Sequence, residues 1–177
     1  MKKIACQLMI AIFIISCNSA TPAKDEKTET PAQSPAYASV LDSSRAKILE
    51  TAIIDFAKGD VNGFTSMMTD NVVFYYPAPG DSLVGSSAVN TYYTGRWKLI
   101  DSIKLIKPTY LPVQVNISTS VMQGEWLMAW FAYQIHYKSG NAIFLPIHAV
   151  AHINSTGKAD VFAMYYDMQK PVMAQRK

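Results

Sequence analysis

Residues 125–153 read EWLMAWFAYQIHYKSGNAIFLPIHAVAHI. In the first half, Leu127, Ala129, Phe131, Tyr133, Ile135 and Tyr137 fall on one side of an extended chain, and Trp126, Met128, Trp130, Gln134 and His136 fall on the other. Successive side chains of a strand point to opposite faces, so this period of two marks a β-strand. After the turn signal Ser139-Gly140-Asn141 the alternation resumes, with Ile143, Leu145, Ile147, Ala149, Ala151 and Ile153 opposite a side that includes Pro146, His148 and His152. So short a connection requires the two strands to run antiparallel. The odd-numbered face of both is apolar throughout and reads as core.

Working outward, further strands are expected at 102–110, 113–121 and 158–168, with turns at Gln123-Gly124 and Ser155-Thr156-Gly157. Upstream the period becomes helical. Asp42 or Ser43 can cap a first helix with Ile48, Leu49, Ala52, Ile53 and Phe56 on one stripe, and Gly59 is placed to end it. Asp60 can cap a short second helix carrying Val61, Phe64 and Met67. Residues 71–85, NVVFYYPAPGDSLVG, form a strand that stops at a turn with two prolines, and Gly85-Ser86-Ser87 opens a third helix that carries Ala88, Val89, Tyr92 and Tyr93 and ends near Trp97. Alternation in that strand groups Tyr76 with Phe74 and sets Tyr75 on the opposite side. Three helices ahead of a curved antiparallel sheet give an α+β fold, with the helices on one face.

The chain has 177 residues, half of them hydrophobic, enough for one domain with its own core plus short appendages. Its formal charge of +3 includes Lys2 and Lys3; without them it is about +1, so no nucleic-acid surface is implied. Residues 1–16 have a basic start and an apolar run of about a dozen residues, short of the roughly 20 that span a membrane but suited to a secretory leader. The ending Ile14-Ile15-Ser16-Cys17 resembles the bacterial lipobox. That implies cleavage before Cys17, lipidation of its thiol, and a chain anchored in a membrane of the bacterial cell envelope on its extracytoplasmic side, periplasmic or at the cell surface. Cys6 lies in the leader, so the folded part would have no thiol for a disulfide, a nucleophile or a zinc site. Residues 17–40 then form the lipidated cysteine and a disordered tether, rich in Ala, Thr, Pro and Ser, able to reach roughly 70 Å at about 3.1 Å per residue. Residues 41–170 form the domain and 171–177 a C-terminal tail.

The run Phe56-Ala-Lys-Gly-Asp60, Phe64, Thr69-Asp-Asn-Val72, Pro77, Gly85 and Ala88-Val89 resembles the front half of the SnoaL-like group in the nuclear transport factor 2-like superfamily. Thr156-Gly-Lys158 leading to Tyr165-Tyr-Asp167 is similar to its closing hairpin. The resemblance implies a cone-shaped sheet wrapped around a long helix, an apolar cavity at one end, and often a homodimer through the sheet's outer face. Members include ketosteroid isomerases, dehydratases, polyketide cyclases and epoxide hydrolases beside proteins that only bind, so the fold leaves function open.

Candidate residues follow. His148 and His152 share a strand face roughly 13 Å apart at about 3.3 Å per residue, too far for one metal, and no metal or cofactor is expected. Their face is either the outer surface of the sheet, a dimer interface given its tryptophans, or a polar and aromatic cavity lining. Asp167 matches the closing aspartate of the resemblance and is, with His148, the candidate catalytic group; a strand-end aspartate also serves as a solvated or capping residue. Tyr76, Tyr93, Trp97, Tyr133 and Tyr165 are the candidate ligand-binding residues, with core packing as the alternative for each tyrosine. Two functions remain: a tethered domain binding a small apolar ligand or a partner, or an acid–base isomerase, dehydratase or cyclase acting near a carbonyl.

Overall fold

A computed structural model describes residues 37–76 and 81–175. The leader, Cys17 and most of the tether lie outside the described residues. In chain order the elements are β1 (Ala38–Val40), a 3-10 turn (Ser43–Ala46), α1 (Lys47–Ala57), α2 (Val61–Ser66), β2 (Met68–Tyr75), β3 (Ser82–Val84), α3 (Ser86–Trp97), β4 (Ile100–Val115), β5 (Gly124–Tyr137), β6 (Ala142–Ile153), β7 (Ala159–Tyr165) and α4 (Gln169–Ala174). The strands form one seven-stranded sheet in the order β1-β4-β5-β6-β7-β2-β3, open at both edges. It curls over α1, α2 and α3, in the α+β arrangement that the sequence pattern and the resemblance imply.

α2 and α3 begin where their sequence signals lie, whereas Asp42 caps a 3-10 turn at Ser43–Ala46 and α1 starts after it, at Lys47, with no side-chain cap. The Asp42 carboxylate accepts the Ser44 amide at 2.8 Å, and the Asp60 carboxylate accepts the Gly63 amide at 2.7 Å, each closing an orphan donor of a first turn. Leu49, Ala52, Ile53 and Phe56 of α1 are buried. Gly85 enters α3 at φ 92, its amide bonded to the Val72 carbonyl at 2.8 Å. A side chain there would place its Cβ 2.9 Å from the Asp70 carbonyl oxygen, so the turn requires glycine twice over.

The strands expected at 102–110 and 113–121 are a single element. β4 runs unbroken from Ile100, opposite Tyr137, to Val115, opposite Gly124. Lys107 has φ 43 and precedes Pro108, and the register shifts between Ile106 and Thr109. A proline that cannot donate to the ladder is accommodated there as a bulge inside the first expected strand, while the expected break at 111–112 is paired throughout, Leu111 with Met128 and Pro112 with Leu127. Residues 116–123 are turns rather than strand. β7 stops at Tyr165, short of the expected 168. Two further differences extend the domain: Ala38–Val40 pairs with β4 as an edge strand, and residues 169–174 of the expected end and tail are helical. Consecutive strands are antiparallel as expected, whereas β2 joins β7 in parallel, with Phe74 beside Phe162.

The inner face carries the core. Leu127, Ala129, Phe131 and Tyr133 of β5 lie opposite Ala151, Ala149, Ile147 and Leu145 of β6, all buried. β7 adds Phe162 and Met164, and β2 adds Val72 and Phe74. Phe74 and Phe162 stack with centroids 5.2 Å apart and planes 5° from parallel. The outer face exposes Trp130, Phe144 and Tyr165.

Candidate functional site

At one end of the core the side chains leave a gap. α3 approaches it with Tyr93 and, one further turn along the same flank as Tyr92, with Arg96. β4 supplies Ile100 and Ile103, β5 supplies Tyr133, Ile135 and Tyr137, and β6 supplies Leu145 and Ile147. Met164 comes from β7 and Tyr166 from just beyond its end, Phe56 from α1, and Pro171 from α4. The gap is partly open to solvent and has a volume of about 40 Å³. That admits a few water-sized groups, against about 300–1,000 Å³ for sites that enclose drug-sized ligands.

The phenols in this wall are held protonated. Burial, then the neighbouring phenols of Tyr166 and Tyr92, push Tyr93 well above its ordinary value, while the Arg96 cation opposes. Burial, then Tyr92, raise Tyr166 to about 12, again against Arg96. Tyr137 is raised by burial, with Gln175 and Arg96 pulling the other way. Tyr133 is raised well above its ordinary value by burial, and its hydroxyl donates to the Ile53 carbonyl at 3.0 Å, which ties the sheet to α1. A neutral phenol donates a hydrogen bond and is a poor base. No Asp, Glu, His or Cys is among the described residues lining the gap. What the wall offers is apolar surface, hydroxyl donors and one guanidinium.

The candidates from sequence divide between three places. Tyr93 and Tyr133 line the cavity. Tyr76 and Trp97 pack beside it: Tyr76 tilts over Tyr92 with centroids 5.2 Å apart, and Trp97 meets Phe56 edge-on at 6.1 Å, over the turn at Gly59. His148, Tyr165 and Asp167 are elsewhere. His148 is on the outer face, flat against Trp130 with centroids 4.8 Å apart, and Tyr165 lies next to it, 58% exposed. Asp167 is exposed and accepts the Gln169 amide at 3.0 Å, at the start of α4. The proton-transfer role considered for His148 and Asp167 therefore has no geometry at the cavity, because strand parity turns one outward and the end of β7 releases the other to cap a helix. His152 is also on the outer face, with Nδ1 2.6 Å from Asp160 Oδ1. Among the described residues no three His, Cys, Asp or Glu side chains gather as a metal site would need.

Arg96, Tyr137 and Tyr166 are the wall residues that sequence reasoning missed. Tyr137 ends the inward series of β5, and Arg96 follows Tyr92 by four positions, so both had a periodic signal. Tyr166 had none that decided: Val161, Ala163 and Tyr165 are as apolar as Phe162, Met164 and Tyr166.

No protein-family model matches the chain, and no curated protein does. Solved structures do match. A nuclear transport factor 2-like protein of unknown function from Burkholderia pseudomallei aligns over 77% of this chain and 100% of its own, with 15% identity and a TM-score of 0.61. A candidate polyketide cyclase from Xanthomonas campestris aligns over 75% and 98%, with 15% identity and a TM-score of 0.59. The epoxide hydrolase/cyclase-like enzyme SalBIII, of pyran ring formation in salinomycin, aligns over 71% and 92%, with 16% identity and a TM-score of 0.54. At such identities the likeness is one of fold, the nuclear transport factor 2-like fold.

Proposed function

We propose that this nuclear transport factor 2-like domain is a binding module that holds a small apolar molecule in its end cavity without chemical turnover, carried on a lipid-anchored tether at the bacterial cell envelope. The observation behind the binding reading is the composition of the wall. General acid–base catalysis needs a group whose pKa lies near the working pH, and the described residues of the wall include phenols held above that range and no carboxylate or imidazole. Native mass spectrometry of the purified domain tests it: a small molecule released on unfolding supports the reading, and failure of any apolar probe to raise the melting temperature would count against it.

The envelope address rests on residues 1–17. Mass measurement of membrane-extracted protein should find Cys17 acylated and amino-terminal; an unmodified Cys17, or cleavage elsewhere, would sink the anchor.

The structural neighbours favour a second reading, an acid–base enzyme of cyclase or isomerase type, since a cyclase candidate and an epoxide hydrolase/cyclase-like enzyme share the fold. Deuterium exchange into cyclohexanone in heavy water separates the two. Binding alone predicts no exchange above background; exchange that Tyr166→Phe abolishes would establish the enzyme.

The outer face suggests its own partner, a second copy of this chain. Trp130 is 42% exposed and Phe144 56%, both on the outer face of the sheet. Sedimentation should show a dimer for the wild type and a monomer for Trp130→Glu. A wild-type monomer at high concentration would remove this partner.

A further inference from the structure

We infer that the ligand of the end cavity is an acid, and that Arg96 receives its carboxylate. The inference rests on the binding reading above and adds the chemical class. A guanidinium carries five N–H donors and no acceptor, and Arg96, half-buried on the cavity wall, can offer those donors to an oxygen ligand. Its side chain has no such partner among the described residues. The ion pairs there join Arg45 to Glu125, Lys47 to Glu50 and His152 to Asp160, and among the described residues no hydrogen bond engages the Arg96 side chain, although its carbonyl accepts the Leu99 amide. Its one described contact of this kind is with the Tyr92 ring, whose centroid is 5.7 Å from the guanidinium carbon. A cation over a ring face leaves its in-plane donors free for a second partner.

Charge around the cavity points the same way. The field of Arg96 reaches Tyr93, Tyr137 and Tyr166, opposing the upward displacement of each, so the cation lies within reach of all three phenols. Since no carboxylate is among the described residues of the wall, an entering anion meets no like charge from them. A planar carboxylate matches the planar fork of a guanidinium through two parallel hydrogen bonds, and a protonated phenol can donate a third. The apolar body of the acid then lies along Ile100, Ile103 and Ile147. The gap of about 40 Å³ admits the carboxylate head, and the remainder of the acid extends from its open side toward solvent.

Benzoate and benzamide, equal in shape and different in charge, make the test. Each is titrated into the folded protein and followed by calorimetry and by chemical shifts of the tyrosine rings. Benzoate should bind about tenfold more tightly than benzamide, the scale of one charge-assisted, partly solvated contact. Arg96→Gln should bring the two within about twofold of each other by weakening benzoate alone, and Arg96→Lys should restore part of the preference, since an ammonium keeps the charge without the fork. If wild-type protein binds benzamide as well as benzoate, or if Arg96→Gln keeps the benzoate preference, the acid inference is overturned while apolar binding stands. If neither probe binds up to its solubility limit, both readings fall. The wild-type comparison needs no substitution, so it holds even if a variant folds poorly.

Discussion

Tyr133 shows how little of a pocket residue's chemistry is free for a ligand. Its ring stacks on Phe56 at 5.7 Å and its hydroxyl is committed to the Ile53 carbonyl, so it both lines the cavity and joins sheet to helix. Tyr133→Phe keeps the ring and removes the bond. It should cost about 1–2 kcal/mol, read as a lower urea midpoint with an unchanged slope. Gly124 carries a different constraint. It sits at φ 122, and a Cβ there would lie 2.5 Å from His152 Nε2, whose ring is held by Asp160 and rests against Trp126 at 5.0 Å. Gly124→Ala combines strain with a clash and should lose about 1–3 kcal/mol. Adding His152→Ala removes the clash and leaves the strain, so a double-mutant cycle by chemical denaturation should show the two coupled.

At the scale of elements, legibility followed how differently the two faces of each strand are populated. In β6 one face is apolar throughout and the other holds Pro146, His148 and His152, so alternation alone divides the strand into core and surface. In β7 both faces are apolar, and the choice between Tyr165 and Tyr166 had no sequence basis. β4 was divided in the sequence at Leu111-Pro112, but the ladder runs through both residues, opposite Met128 and Leu127, and only the partner strand shows that the register shift lies earlier, between Ile106 and Thr109. α4 was invisible because its six residues, QKPVMA, are too few for a helical period to emerge. Its place depends on the β5–β6 turn, where the Ser139 hydroxyl and the Asn141 amide both donate to the Ala174 carbonyl, at 2.9 and 3.0 Å. Removing both donors, in Ser139→Ala with Asn141→Ala, should speed hydrogen exchange of α4 amides while leaving β5 and β6 protected. Equal acceleration in the sheet would mean that the turn, and not the latch, had failed.

At the scale of the whole molecule, the buried phenols set an alkaline limit. Tyr93, Tyr133 and Tyr166 keep their protons in the folded state beyond the ordinary value of 10.0, Tyr166 to about 12, chiefly through burial. Above pH 10 the unfolded chain therefore binds fewer protons than the folded one, and stability falls as pH rises. The contribution of Tyr166 is fully present below pH 10 and is lost between about 10 and 12, at about 1.4 kcal/mol for each pH unit crossed. The urea midpoint should be level through neutral pH and drop in that window, together with the absorbance of phenolate. A midpoint insensitive to pH up to 12 would mean the phenols are less enclosed than the structure has them.

The parallel pairing of β2 with β7 also bears on the order in which the chain can fold. Met68 finds its partner at Ala159, after every other long strand has been made, whereas β4, β5, β6 and β7 meet through successive hairpins. Closing so long a loop is entropically costly until the rest of the surface is ready to receive it. The hairpins are therefore expected to assemble first and the amino-terminal strand, with the Phe74–Phe162 stack, to dock last. A chain lacking its final strand would leave β2 without its long neighbour, so completion of the core waits on residues near the carboxyl end.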